Sequence, residues 1–82
     1  MEKKFVPNFY YQEEDHYLFA FEKNMYDTYD EAKARLINML DAIDDYNIDD
    51  VIPRIIECRT DGFFIISLAE HDYTLEEIKN WK

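Results

Sequence analysis

Apolar positions along the chain follow two different periods. Between residues 5 and 22, and again between 54 and 69, they crowd into short runs rich in aromatic and β-branched residues, while between 28 and 46 they recur every third or fourth position. The second pattern is helical. Ala32, Leu36, Met39, Leu40 and Ile43 fall on one stripe of a predicted helix over 28–46, which needs a core to cover it. Thr28 with Glu31 three residues later gives that helix a capping-box start. A second such pair, Thr74 and Glu77, opens a last helix to about residue 82, with Tyr73 and Ile78 spaced as a hydrophobic staple and Leu75, Ile78 and Trp81 as its buried edge.

The crowded runs predict strands. The first is Phe5–Gln12, in which Pro7 cannot donate to a ladder and suits an edge or a strand start. After the polar break Glu13-Glu14-Asp15, the second is His16–Glu22, with Tyr17, Phe19 and Phe21 on one face and Leu18 and Ala20 on the other. The two form a hairpin with a loop of three to four residues. Both faces are apolar, so pattern alone leaves open which one meets the helix. Asn47–Ile52 reads as an acidic turn, and Pro53 marks the start of a third strand, Arg54–Arg59. A fourth follows at Phe63–Ala69. A three-residue loop, Thr60-Asp61-Gly62, with glycine in the left-handed region, pairs Cys58 with Phe64 and Ile56 with Ile66. That register places Ile56, Cys58, Phe64, Ile66 and Leu68 on one face and keeps Glu57, Arg59 and Ser67 opposite. The order β-β-α-β-β-α predicts a single α+β domain over 1–82, an antiparallel sheet with helices packed on one side.

Composition narrows the function classes. The 82 residues are 48% hydrophobic and 17% aromatic, too apolar for disorder, and suffice for one core. No run is long and apolar enough for a membrane span, and the start MEKKFVPNF lacks a signal-peptide core. Cys58, the only cysteine, rules out an intrachain disulfide, so a reducing cytoplasmic setting is expected. Nineteen acidic residues against nine basic ones leave a net charge of −10, which disfavours direct binding to nucleic acid or an anionic membrane. Solubility explains such a charge blandly; a basic partner explains it more sharply.

Chemistry-bearing groups are sparse. Asp45, Asn47 and Asp49 match the first positions of a calcium loop, but Asp50 replaces the needed glycine and Ile56 the twelfth-position acid. His16 and His71, each beside acids, would make a metal site only if their two segments met. Cys58 falls on the predicted core face, as an inert thiol. A single glycine precludes a phosphate loop, and Ser67, the one serine, has no histidine near it in sequence. No enzyme, cofactor or metal is expected. More telling is the aromatic excess: Tyr10, Tyr11, Tyr17, Phe63 and Ile65 cannot all lie beneath one long and one short helix. Either some complete a thin second core, or they form an exposed face for self-association or a partner. Asp41, Asp44 and Asp45 oppose the dipole at the end of the long helix, and with Asp30, Glu31, Asp49 and Asp50 they could line up as an acidic ridge.

In size, charge and aromatic content, and on the Asp41–Asp50 run with Glu13–Asp15, the chain resembles the small acidic inhibitors that phages encode against host nucleic-acid enzymes, such as nucleic-acid-mimicking anti-restriction and anti-CRISPR proteins. Thr28-Tyr29-Asp30-Glu31-Ala32 after two strands also resembles the strand–strand–helix opening of HicB-type antitoxins. The first resemblance implies a non-enzymatic DNA mimic that occupies a basic surface of a nucleic-acid-handling partner. Asp41, Asp44, Asp45, Asp49 and Asp50 would supply steering, and Tyr10, Tyr17 and Phe63 contact area. The alternative is a structural or assembly protein that self-associates, as a homodimer, through an aromatic sheet face.

Overall fold

A computed structural model describes residues 2–43, 48–61 and 63–81. Four antiparallel strands form one sheet in the order β2-β1-β3-β4: β1 Glu2–Tyr11, β2 His16–Tyr17, β3 Val51–Thr60 and β4 Ile65–Asp72. The helices α1 Tyr29–Met39 and α2 Leu75–Asn80 pack on one face. The architecture is the α+β arrangement expected, in the expected order.

The spine is the β1–β3 ladder, which runs from Glu2 opposite Thr60 to Tyr11 opposite Val51. Alternation divides its side chains between two cores. On the helix side Phe9, Val51 and Ile55 meet Ala32, Leu36, Met39 and Ile43 of the first helical segment and Ile78 of α2. On the far side Val6, Ile56 and Cys58 are buried beneath Tyr17, Phe21 and Met25. A thin second core therefore exists, and the 17–25 segment is its cover.

Both prolines lie inside this spine, Pro7 in a strand that is interior by order rather than at an edge. The reason is directional. Phe5 exchanges both backbone hydrogen bonds with Tyr26, on the side away from β3, so the odd positions of β1 point their N–H groups outward. The missing N–H of Pro7 falls on that outer side, where its carbonyl accepts from the Asn24 amide. The carbonyl of Pro53 likewise accepts from Tyr73 N–H (2.9 Å), away from β1. Neither proline removes a bond from the ladder.

Four expectations are corrected. The helical rod over 28–46 is α-helical only to Met39 and continues as a 3-10 turn, Leu40–Ile43; Asp44, Asp45 and Tyr46 lie outside the described residues. Its Thr28 cap is present, accepting from Glu31 N–H at 3.2 Å. The second strand is two residues long instead of seven. Its continuation is diverted by Asn8, whose Oδ1 accepts from Phe9 N–H (2.8 Å) and Phe19 N–H (3.1 Å) while its Nδ2 donates to Phe19 O (2.8 Å). The third strand begins at Val51, ahead of Pro53, after a 3-10 turn Ile48–Asp50. Finally, the β3–β4 register is not the expected one. Cys58 opposes Ser67, Arg59 opposes Ile66 and Thr60 opposes Ile65; an irregularity at Glu57/Cys58 then brings Ala69 opposite Glu57. The connection runs over 61–64, with Gly62 outside the described residues, and the odd slip removes Phe64, Ile66 and Leu68 from the buried set. In their place, Asp61 ties the turn by accepting from Phe63 N–H (2.9 Å) and Phe64 N–H (3.0 Å). No described helix is long and apolar enough to cross a membrane.

Candidate functional site: an acidic end and an apolar tip

The β1–β2 turn places the first group of acids. Tyr10 pairs with Tyr17 and Tyr11 with His16, and Asp15 closes the turn with φ of 54°, a left-handed conformation that aspartate tolerates. Gln12 N–H donates to Asp50 O at 3.0 Å, fastening this turn to the 3-10 turn that precedes β3. Glu13, Glu14 and Asp15 are thereby brought to the same end of the sheet as Asp49 and Asp50, from which they are more than thirty positions distant in sequence. Nothing local in the sequence joins the two groups.

The side chains at this end respond to the accumulated charge. Tyr11 Oη donates to Glu13 at 2.8 Å, and its phenol is pushed up to about 12, chiefly by that bond, then by burial and by the charges of Glu13, Glu14 and Asp50. Contributions from both acidic groups reach one hydroxyl. His16 Nε2 lies 2.7 Å from Glu14, which holds the imidazole more basic than usual. Tyr10 Oη donates to Asp15, and its phenol is raised by that bond.

Behind this end sits Arg54. Its guanidinium donates to Asp72 (2.6 and 3.3 Å) and to Tyr17 Oη (2.8 Å), and lies over the rings of Tyr10 (4.9 Å) and Tyr17 (5.8 Å). Glu70 approaches it at 3.5 Å. Tyr10 and Tyr17 stack edge-on at 5.3 Å, so the two tyrosines and one arginine form a stiff platform beside the acids.

Of the residues singled out in sequence, Tyr10, Tyr17, Asp49 and Asp50 come together here. Asp41 is exposed on the 3-10 turn after α1, and Asp44 and Asp45 lie outside the described residues. Phe63 is at the opposite end. The nine steps of β3 from Val51 to Thr60, at about 3.3 Å each, put roughly 30 Å between the ends. There Phe63 and Phe64 are 91% and 70% exposed, followed along β4 by Ile65, Ile66 and Leu68, all exposed. An open cleft of about 400 Å³ separates this tip from the covering loop, lined by Glu22, Met25, Thr60, Phe63 and Ile65. Phe63 and Ile65 were expected to be surplus to the core, whereas Phe64, Ile66 and Leu68 join them at the surface because the β3–β4 register differs from the expected one.

The remaining candidates are accounted for structurally. His16 lies on the β2 edge and His71 on the β4 edge, so the two do not meet; His71 instead bonds Glu57 (3.0 Å), which with Lys3 holds that carboxyl below its usual range. Among the described residues no group of three or more His, Cys, Asp and Glu could hold a metal ion. The segment after Asp50 leaves as a strand, against a calcium loop, and Asp45 and Asn47 lie outside the described residues. Cys58 is buried, which raises its thiol pKa, and its Sγ faces Lys4 O at 3.6 Å. Ser67 is exposed on β4. No family model, curated protein or solved structure matches the chain.

Proposed function

We propose that the protein is a non-enzymatic, cytoplasmic binding protein whose acidic end engages a basic surface on a nucleic-acid-handling protein. The observation that carries this reading is the convergence of Glu13–Asp15 with Asp49 and Asp50 at one end of the sheet, fastened by the Gln12–Asp50 backbone bond. Spaced carboxylates on a rigid scaffold offer a basic groove what a phosphate backbone offers it, and steer approach from a distance. Tyr10 and Tyr17, braced by Arg54, supply flat contact area next to the charges. In this reading the protein inhibits by occupancy, as a mimic of nucleic acid.

The test is binding to a basic nuclease or DNA-binding protein across a salt series, with DNA as competitor. Carrying Glu13→Gln, Glu14→Gln, Asp49→Asn and Asp50→Asn together should weaken low-salt binding at least about tenfold and flatten its salt dependence. Affinity unchanged by those four substitutions, or binding that DNA does not displace, would refute the reading.

A further inference from the structure

The two edges of the sheet are treated differently. On the β1 side the outward backbone groups are occupied in turn: Phe5 by Tyr26, the Pro7 carbonyl by Asn24, Phe9 N–H by Asn8 Oδ1 and its carbonyl by Leu18 N–H, and beyond them β2. Proline, covering loop and a very short final strand are the usual devices that stop an edge from pairing with another chain. β4, which ends the sheet on the other side, has none of them. Its approach and first half, Phe63–Ala69, contain no charge and no proline, and Phe63, Phe64, Ile65, Ile66 and Leu68 are all exposed.

We propose that this edge is the interface of a homodimer, in which β4 pairs antiparallel with β4 of a second copy about a two-fold axis at Ile66. The occupant follows from charge and area. Centring on Ile66 sets Ile65 against Ser67, Phe64 against Leu68 and Phe63 against Ala69, so each apolar residue meets an uncharged partner. Registers centred on Glu70 or His71 would instead oppose acid to acid at Glu70 and Asp72, which is destabilising in a strand pair. The two-fold also turns the acidic ends of the copies away from each other, well beyond a screening length of about 8–10 Å. A chain carrying −10 has few other ways to approach its own copy.

The area is sufficient. With aromatics contributing about 150–250 Å² each when fully accessible, the five exposed side chains present roughly 500–600 Å² per copy. If all of it were covered, two copies would bury at most roughly 1,000–1,200 Å², at the lower bound of specific interfaces, to which the backbone pairing adds. The roughly 500–600 Å² on each copy lies at the top of the range of about 300–600 Å² for the largest apolar patch on a monomer, a size at which such patches are often functional. The Asp61 carboxylate, holding Phe63 and Phe64 N–H, sets the tip in place before a partner arrives.

Sedimentation or light scattering over a concentration series tests this. The native chain should move from 10.0 kDa toward twice that mass, and association should hold or tighten as salt rises, because salt screens two like-charged bodies. Ile66→Lys, which sets two ammonium groups opposite each other, should weaken dimerisation by roughly 100-fold or more. Circular dichroism checks that it folds; should it not, Phe64→Ser at a 70% exposed side chain serves as the second variant. A native chain that stays monomeric at every concentration, or a dimer that survives in a folded variant, would overturn the proposal. Neither outcome bears on the acidic end, whose partner binding is predicted to weaken with salt.

Discussion

Asn8 is the most informative residue to remove. It is fully buried in β1, and its side chain makes three hydrogen bonds to backbone, to Phe9 N–H and to both groups of Phe19. Asn8→Ala deletes all three at once. At about 1 kcal/mol net for each bond, with the Phe19 groups half-exposed and able to recover water, the loss is about 3 kcal/mol. A domain this size holds roughly 4–12 kcal/mol in all, so the substitution should lower the melting temperature by about 12–24 °C. Urea unfolding followed by circular dichroism measures it directly, and amide exchange at Leu18 and Phe19 should speed up together.

Asn8→Asp separates the bonds from the packing. The carboxylate keeps both acceptor contacts but turns an oxygen toward Phe19 O where an amide had donated. Burial without a donor raises its folded pKa above the unfolded value, so stability is lowest at neutral pH. It returns as pH falls through that raised value, when the protonated carboxyl can donate again. A loss below about 1 kcal/mol for Asn8→Ala, or an Asn8→Asp variant insensitive to pH, would refute the view that Asn8 holds the covering loop.

Three further outcomes are expected. Arg54→Ala should cost about 2 kcal/mol, less than a fully buried pair because Glu70 and Asp72 reach solvent, and thermal melts check it. In a spectrophotometric titration Tyr11 should ionise near 12, later than ordinary tyrosines, and the same absorbance step should disappear in Tyr11→Phe. Asp61 has its folded pKa lowered by the Phe64 and Phe63 amides, so its contribution is present above the ordinary carboxylate value and lost as pH falls through the lowered one. The stability difference between native and Asp61→Asn should therefore vanish in acid, as urea midpoints at several pH values will show.

Local signals in the sequence reached as far as local physics does. Thr28 and Thr74 accept from the amides of Glu31 and Glu77, as a threonine followed three residues later by glutamate implies. Ala32, Leu36, Met39 and Ile43 are buried because a 3.6-residue period can be satisfied against only one face. Where two periods were equally served, sequence could not choose. β4 is apolar at consecutive positions, so its register rested on an assumed loop, and the irregularity at Glu57/Cys58 shifted it. His16–Glu22 has strand composition, but a buried asparagine eleven positions before Phe19 takes the Phe19 backbone groups a ladder would need. The acidic end depended on a backbone bond between Gln12 and Asp50, a long-range fact that no window of residues contains.

The long ladder at the centre of the sheet also fixes an order of events at birth. Tyr11 pairs with Val51 and Glu2 with Thr60, so every residue of β1 has its β3 partner forty or more positions further on. On a ribosome adding roughly 5–20 residues each second, β1 emerges seconds before anything it can pair with in β3. Through that interval the aromatic stretch Phe5–Tyr11 lacks its β3 neighbour, and Pro7 sits within it, one position before its middle. A proline that takes no bond from the finished ladder still denies one to a passing neighbour. Its position, neutral in the folded sheet, leaves the outer side of β1 one donor short for as long as that side is uncovered.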